Sequence, residues 1–152
     1  MQYIVISDSH GRKSAIEEVL YRHPNRDVIF LGDGIRDIEE LERSYPVSFI
    51  RVQGNNDFLA IGTQKSIILP VGSKRLFLTH GHEYGARGGI DTLIYTARLN
   101  GCDGVLYGHT HIQTTGERDG VFYLNPGAIG FMGDYALLTE KNGVFTAELK
   151  KL

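Results

Sequence analysis

Five short polar segments of the chain contain side chains of the kinds that bind metal ions. They are Asp8-Ser9-His10, Gly32-Asp33-Gly34, Gly54-Asn55-Asn56-Asp57, Thr79-His80-Gly81 and Gly108-His109-Thr110-His111. Any one of them alone is typical of a helix cap or a polar turn. Together they offer carboxylate, amide and imidazole donors without a thiolate. That set suits Mn, Fe, Zn, Ni or Co and disfavours calcium or a thiolate-rich zinc site. The combination predicts a metal centre.

Each polar segment follows an apolar stretch that is typical of a buried β-strand. These stretches are Tyr3–Ile6, Val28–Leu31, Phe49–Val52, Leu76–Leu78 and Val105–Tyr107. A parallel sheet gathers the loops at the carboxyl ends of its strands into one crevice. Donors that lie a hundred positions apart in sequence are therefore expected to converge.

The order of elements predicts an α/β fold. Strands alternate with amphipathic helices in the first half, where Lys13–Arg22 has apolar residues at helical spacing. This order predicts parallel strands with right-handed crossovers. A further helix is expected at Gly89–Asn100, and hairpin turns at Asp119-Gly120 and Asn142-Gly143. We expect residues 1–152 to form one domain of two packed mixed sheets with helices outside.

Composition limits the classes of partner. The net charge is −2, so the chain has no general attraction for nucleic acid or an anionic membrane. One cysteine, Cys102, cannot form an internal disulfide, which fits a reducing compartment. We find neither a charged leader followed by an apolar stretch nor a window long enough to span a membrane. A cytoplasmic location is expected.

Counting the donors indicates how many ions they hold. The set has two carboxylates, one amide and four imidazoles: Asp8, Asp33, Asn55, His10, His80, His109 and His111. Seven donors are too many for one ion, whereas two ions sharing a carboxylate use them all. Two divalent ions, offset by both aspartates and a bridging hydroxide, leave about one positive charge, which would attract a phosphoryl group.

The ordered motifs Asp-x-His, Gly-Asp, Gly-Asn-x-Asp, His-Gly and Gly-His-Thr-His resemble the signature of the calcineurin-like metallophosphoesterases. The chain resembles most the small bacterial and archaeal phosphodiesterase subgroup, which is related to a retromer scaffold subunit. The resemblance implies a four-layer α/β/β/α sandwich with two metal ions at the strand ends, manganese being favoured. It implies one ion at Asp8, His10 and His111, a second at Asn55, His80 and His109, and Asp33 bridging them.

One position departs from this pattern. Many family members have a histidine general acid where this chain has Asn56, and an amide cannot act as an acid at neutral pH. Asn56 is left to orient a phosphate oxygen, while His82 is either the substitute acid or an ordinary loop histidine. Asp57 is expected to cap or support its loop. Arg87 is either a phosphate contact or a solvated helix-start residue.

The leading interpretation is a metal-dependent phosphodiesterase that hydrolyses small phosphodiesters by in-line attack of a metal-bridging hydroxide. Without a strong acid, activated aryl diesters should be better substrates than alkyl monoesters. The alternatives are a catalytically silent protein-binding scaffold of the same fold and a phosphomonoesterase. The expected partner is a small phosphorylated molecule, and homo-oligomer formation is left open. The pair Phe131-Met132 is assigned to packing, with a dimer contact or a substrate rim as alternatives.

Overall fold

The computed structural model describes residues 1–152 and contains ten strands in two sheets. In chain order the strands are β1 (Gln2–Ile6), β2 (Asp27–Phe30), β3 (Phe49–Arg51), β4 (Ser66–Val71), β5 (Lys74–Thr79), β6 (Gly104–Leu106), β7 (Thr114–Arg118), β8 (Val121–Asn125), β9 (Asp134–Lys141) and β10 (Val144–Lys151). One sheet has the order β10-β9-β1-β2-β3 and the other the order β4-β5-β6-β8-β7.

Both sheets mix parallel and antiparallel pairs. Strands β1, β2 and β3 pair in parallel, as the alternation of strands and helices predicts. The β9–β10 hairpin adds to the free edge of β1 in antiparallel fashion. In the second sheet β6 pairs in parallel with both β5 and β8. The carboxyl ends of β1, β2, β3, β5 and β6 carry the five polar segments.

Four α-helices complete the fold: α1 (Lys13–Arg22), α2 (Ile35–Leu41), α3 (Asp91–Leu99) and α4 (Ile129–Met132). Helix α3 is shorter than the predicted Gly89–Asn100, because residues 86–88 form a separate 3-10 turn and Gly89 has a φ of 131°. No helix is both long enough and apolar enough to cross a bilayer.

Three hydrophobic clusters define four layers. In β1 successive side chains point to opposite faces of the sheet. Ile4 and Ile6 pack against α1 and α2, while Val5 faces the second sheet. The second sheet alternates in the same way: Leu76 and Leu78 face the first sheet, and Phe77 packs with α3. The predicted α/β/β/α sandwich of two mixed sheets is confirmed.

Candidate metal centre

The seven candidate donors meet where the carboxyl ends of the two sheets come together. The first sheet contributes Asp8, His10, Asp33 and Asn55, and the second contributes His80, His109 and His111. Backbone hydrogen bonds extend the strand pairing into the loops, from Asp8 N to Gly32 O (2.9 Å) and from Gly108 N to His80 O (3.0 Å). These hydrogen bonds tie the loops that carry the donors to one another across each sheet.

Asp8 is fully buried, and its two carboxylate oxygens have different surroundings. Oδ2 accepts hydrogen bonds from the Ser7 hydroxyl (2.6 Å) and the His109 backbone N–H (3.2 Å). Oδ1 lies 3.1 Å from His111 Nε2 and 3.5 Å from His10 Nε2. One oxygen is thus held by the protein while the other faces two imidazoles, an arrangement that would suit a metal ligand.

Asp33 lies between the imidazoles of the two sheets. Its Oδ2 is 3.4 Å from His80 Nε2 and 3.9 Å from His10 Nε2. Asn56 donates to both Asp33 oxygens. Burial acts to raise the pKa of the Asp33 carboxyl, but the His80 imidazole and the Asn56 N–H groups outweigh it and hold that pKa well below its usual range. Asp33 is therefore an ionised carboxylate that lies between His80 and His10.

The fully buried imidazole of His80 fits a cation site. Its Nδ1 lies 2.6 Å from the Leu31 carbonyl oxygen, which can only accept, so Nδ1 carries a proton. Its Nε2 is buried without a hydrogen-bond partner and lies 3.9 Å from Asp8 Oδ1 as well as close to Asp33. Burial lowers the pKa of His80, yet these two carboxylates raise it overall. A proton or a metal cation at Nε2 would interact favourably with this nitrogen and with the carboxylates of Asp8 and Asp33.

A second group of side chains lies beside His80 and consists of Asn55, His82 and His109. Asn55 Oδ1 is 3.0 Å from His109 Nδ1, and the His109 and His80 rings are 5.1 Å apart. The His82 ring lies 5.5 Å from the His80 ring, with its Nδ1 buried and unpaired. Burial and the neighbouring His80 lower the pKa of both His82 and His109. His82 therefore borders the site and is largely neutral at neutral pH.

Five of the seven donors have a left-handed backbone conformation. Their φ values are 57° at Asp8, 44° at His10, 61° at Asp33, 68° at His109 and 62° at His111. Eight non-glycine residues in the chain have a positive φ, so more than half of them are metal-ligand candidates. Such backbone costs about 1–3 kcal/mol per residue and persists where the surrounding structure enforces it, commonly at functional sites.

Asp57 supports the Asp33 loop, as the sequence predicts. Its Oδ2 accepts hydrogen bonds from the N–H groups of Asp33 (2.7 Å) and Gly54 (2.8 Å). Its Oδ1 accepts from the N–H groups of Gly34 (2.9 Å) and Ile35 (3.1 Å). One buried carboxylate thus joins the loops after β2 and β3.

Two supporting residues are missed by sequence analysis. Asp37 accepts hydrogen bonds from the Ser9 hydroxyl (2.5 Å) and the Gly11 N–H (3.0 Å), which holds the His10 loop. Asn125 donates to the Gly108 carbonyl (3.1 Å) and so holds the loop that carries His109 and His111. In sequence Asp37 is an acid in the first turn of a helix and Asn125 begins an Asn-Pro-Gly turn, and neither pattern indicates a contact with a distant loop.

The sequence-family model of the calcineurin-like phosphoesterase superfamily domain matches residues 1–145 of this chain. The probable metallophosphoesterase YsnB of Bacillus subtilis is 32% identical over 155 residues, covering 96% of this chain and 88% of that protein. The phosphodiesterase YfcE of Escherichia coli K12 is 29% identical over 155 residues. The match covers 85% of this chain and 79% of that protein.

Solved structures share the fold. A predicted phosphoesterase from Streptococcus pneumoniae TIGR4 has a TM-score of 0.80 at 29% identity, with 99% of this chain and 88% of that chain covered. Wild-type Vps29 complexed with zinc, from Entamoeba histolytica, has a TM-score of 0.78 at 20% identity. The match covers 99% of this chain and 98% of that chain. At that identity the likeness to Vps29 shows the fold alone.

Proposed function

Because the chain belongs to the calcineurin-like phosphoesterase superfamily, we propose that it is a phosphodiesterase that works with two divalent metal ions. The observation that carries the proposal is the position of Asp33. One of its oxygens faces His80 of the second sheet and His10 of the first. A buried carboxylate with imidazoles on both sides is suited to share two cations.

The remaining donors divide around Asp33. Asp8, His10 and His111 would hold one ion, since their donor atoms lie within 4.8 Å of one another. Asn55, His80 and His109 would hold the other. The mixed nitrogen and oxygen set suits Mn, Fe, Zn, Ni or Co, and of these we propose manganese. When bound, two such ions supply a water of lowered pKa and stabilise charge on the phosphoryl oxygens.

The residues around the donors favour activated diesters. Asn56 is occupied in holding Asp33 and has no acidic proton to give a leaving group. His82 is the remaining proton source, but burial and His80 lower its pKa. Weak acid assistance selects esters whose leaving groups need little protonation. The leaving-group argument applies to any activated ester, and the name of YfcE, a phosphodiesterase, supports a diester over a monoester.

A silent scaffold is the weaker alternative. Asp8 and Asp33 are both buried, and two such carboxylates are expensive to keep without cations beside them. A protein that uses only its surface has no need of either residue. The likeness to Vps29 extends to the fold and does not change this argument.

Hydrolysis of bis(p-nitrophenyl) phosphate and p-nitrophenyl phosphate tests the proposal. Protein stripped with a chelator and reloaded with Mn²⁺ or Ni²⁺ should hydrolyse the diester faster than the monoester and contain about two ions per chain by elemental analysis. Asp33→Asn should lose most activity, whereas Asp91→Asn, an exposed carboxylate on α3, should keep it. Undiminished activity in stripped protein or in Asp33→Asn would refute the metal mechanism.

A further inference from the structure

We propose that Phe131 is a stacking platform that binds a planar aromatic group carried on the substrate's phosphate ester. The inference rests on the proposed phosphodiesterase function and names the chemical class of its substrate. Phe131 lies in α4, the short helix that enters β9. The residue belongs to none of the five donor segments.

Phe131 borders two of the candidate metal ligands. Its ring centroid lies 5.0 Å from that of His10 and 5.4 Å from that of His111, with interplanar angles of 35° and 39°. Yet 61% of the residue is exposed to solvent. The ring therefore contacts the imidazoles on one side and leaves much of its surface open next to the metal centre. An exposed aromatic ring at the mouth of a site is available for stacking with a flat ligand.

The backbone of α4 is fixed to the loop that carries Asp8. The Gly130 N–H donates to the Asp8 carbonyl (3.1 Å), and Arg12 Nη1 donates to the Gly130 carbonyl (2.6 Å). A Cβ at position 130 would lie 2.2 Å from the Ser9 carbonyl oxygen, so this close approach requires glycine. Phe131 is thus held in register with the donors, which lowers the entropic cost of using its ring as a binding surface.

The chemistry around the centre differs from one side to the other. On the side of the His80 loop, the exposed Arg87 lies in the 3-10 turn Ala86–Gly88 that follows His82. On the side of His10 and His111, Phe131 and Ile112 are exposed apolar residues, and the nearby Arg12 guanidinium is held by the Gly130 carbonyl. A charged phosphate joined to a flat apolar group matches this asymmetry.

A simpler role for Phe131 is to shield His10 and His111 from water, and variants separate the two roles. Phe131→Leu keeps an apolar cover over the imidazoles but removes the flat face. Tyr95→Leu is the matched control, because Tyr95 is an aromatic residue on α3 with 66% exposure. Elemental analysis of each variant reports metal retention independently of turnover.

Ligand binding to the manganese-loaded proteins tests the platform directly by calorimetry. Two pairs of probes differ in an aromatic group: phenylphosphonate against methylphosphonate, and adenosine 5′-monophosphate against ribose 5-phosphate. In the wild type the aromatic member of at least one pair should bind about tenfold more tightly. The preference should fall to about twofold or less in Phe131→Leu, with unchanged metal content, and persist in Tyr95→Leu.

A preference in the nucleotide pair would identify a nucleobase as the aromatic group, and one confined to the phosphonates would identify an aryl ester. Equal binding within both pairs in the wild type would overturn the proposal, as would a preference retained in Phe131→Leu. Loss of metal from Phe131→Leu, with both members of a pair weakened alike, would assign the shielding role instead. A protein that shows the aromatic preference but hydrolyses no diester would refute the proposed function and leave the platform intact.

Discussion

Asn56 donates two hydrogen bonds to Asp33, one from its backbone N–H to Oδ1 and one from its side-chain Nδ2 to Oδ2, both of 2.8 Å. Each carboxylate oxygen therefore has its own donor, which fixes the plane of the carboxylate between His80 and His10. This geometry makes Asn56 a positioning residue for Asp33. Its expected contact with a phosphate oxygen remains a prediction.

Replacing Asn56 tests this positioning role. Asn56→Ala keeps the backbone hydrogen bond but removes the one to Oδ2, so the affinity for Mn²⁺ should fall by about tenfold or more. Competition with a fluorescent chelator measures that affinity. Asn100→Ala, an exposed amide that binds only a carbonyl within α3, is the control. Unchanged metal affinity in Asn56→Ala would show that the Asp33 carboxylate is held adequately by the backbone alone.

His82→Ala tests the proton source. If His82 assists the leaving group, its loss should slow an alkyl phosphodiester by about 100-fold and a nitrophenyl diester by much less. The comparison uses kcat/KM for both substrates at one metal loading. Equal slowing of the two substrates would remove His82 as the acid and assign it to the support of His80 and His109.

The pH dependence of stability should reverse sign when metal is bound. In metal-free protein the pKa of His80 is raised by Asp33 and Asp8 against the effect of burial. Its protonated form therefore stabilises the fold below about pH 6.5, and that contribution is lost as the pH rises through the raised pKa. His82 and His109, whose pKa values are lowered, change charge below that window. Above about pH 6.5 the contribution of His80 therefore falls.

Metal-loaded protein should behave in the opposite way over the same window. Ligand imidazoles must be neutral, so metal binding, and the stability it confers, strengthens as the pH rises. Thermal unfolding in EDTA and in excess Mn²⁺, recorded across this range, gives the two slopes. His80→Asn should flatten the metal-free slope. Parallel slopes with and without metal would contradict the assigned position of the proton.

Asp57→Ala should destabilise both the fold and the centre. The substitution leaves four backbone N–H groups without their acceptor, and the free energy of unfolding should fall by about 2–4 kcal/mol. Denaturant unfolding of the metal-free protein separates this loss from metal binding. Asp91→Ala should change stability little, because that carboxylate is exposed. Equal free energies of unfolding for Asp57→Ala and Asp91→Ala would mean that water replaces the Asp57 carboxylate as the acceptor of these N–H groups at little cost in stability.

Gly54→Ala should displace Asp33. A Cβ at this position would lie 2.1 Å from Asp33 Oδ1 and 2.5 Å from the Asp33 backbone nitrogen, so either the carboxylate or the loop must move. Metal content should fall with little loss of secondary structure by circular dichroism. Gly88→Ala is a matched control, since its added Cβ meets no atom within 4 Å and its φ is not positive. Full metal content in Gly54→Ala would show that the loop backbone shifts to accommodate the methyl group without displacing the Asp33 carboxylate.

The sequence by itself determined the order of the elements and predicted the candidate donors. Apolar runs followed by glycine and polar residues predicted the strands and their ends, because backbone periodicity and turn chemistry are local properties. The bounds of α1 agree with the sequence pattern, and the predicted hairpin turns at Asp119-Gly120 and Asn142-Gly143 are confirmed. The kinds of donor side chain likewise predicted a metal centre.

Only the tertiary structure decided how these groups are oriented. The hydrogen bond that leaves His80 Nε2 free runs to Leu31, 49 positions away, and Arg12 reaches Gly130 across 118 positions. Such contacts depend on how two sheets pack face to face, which no local pattern encodes. For the same reason the sequence left Phe131 as a packing residue. The packing of α4 against the Asp8 loop brought its ring beside His10 and His111.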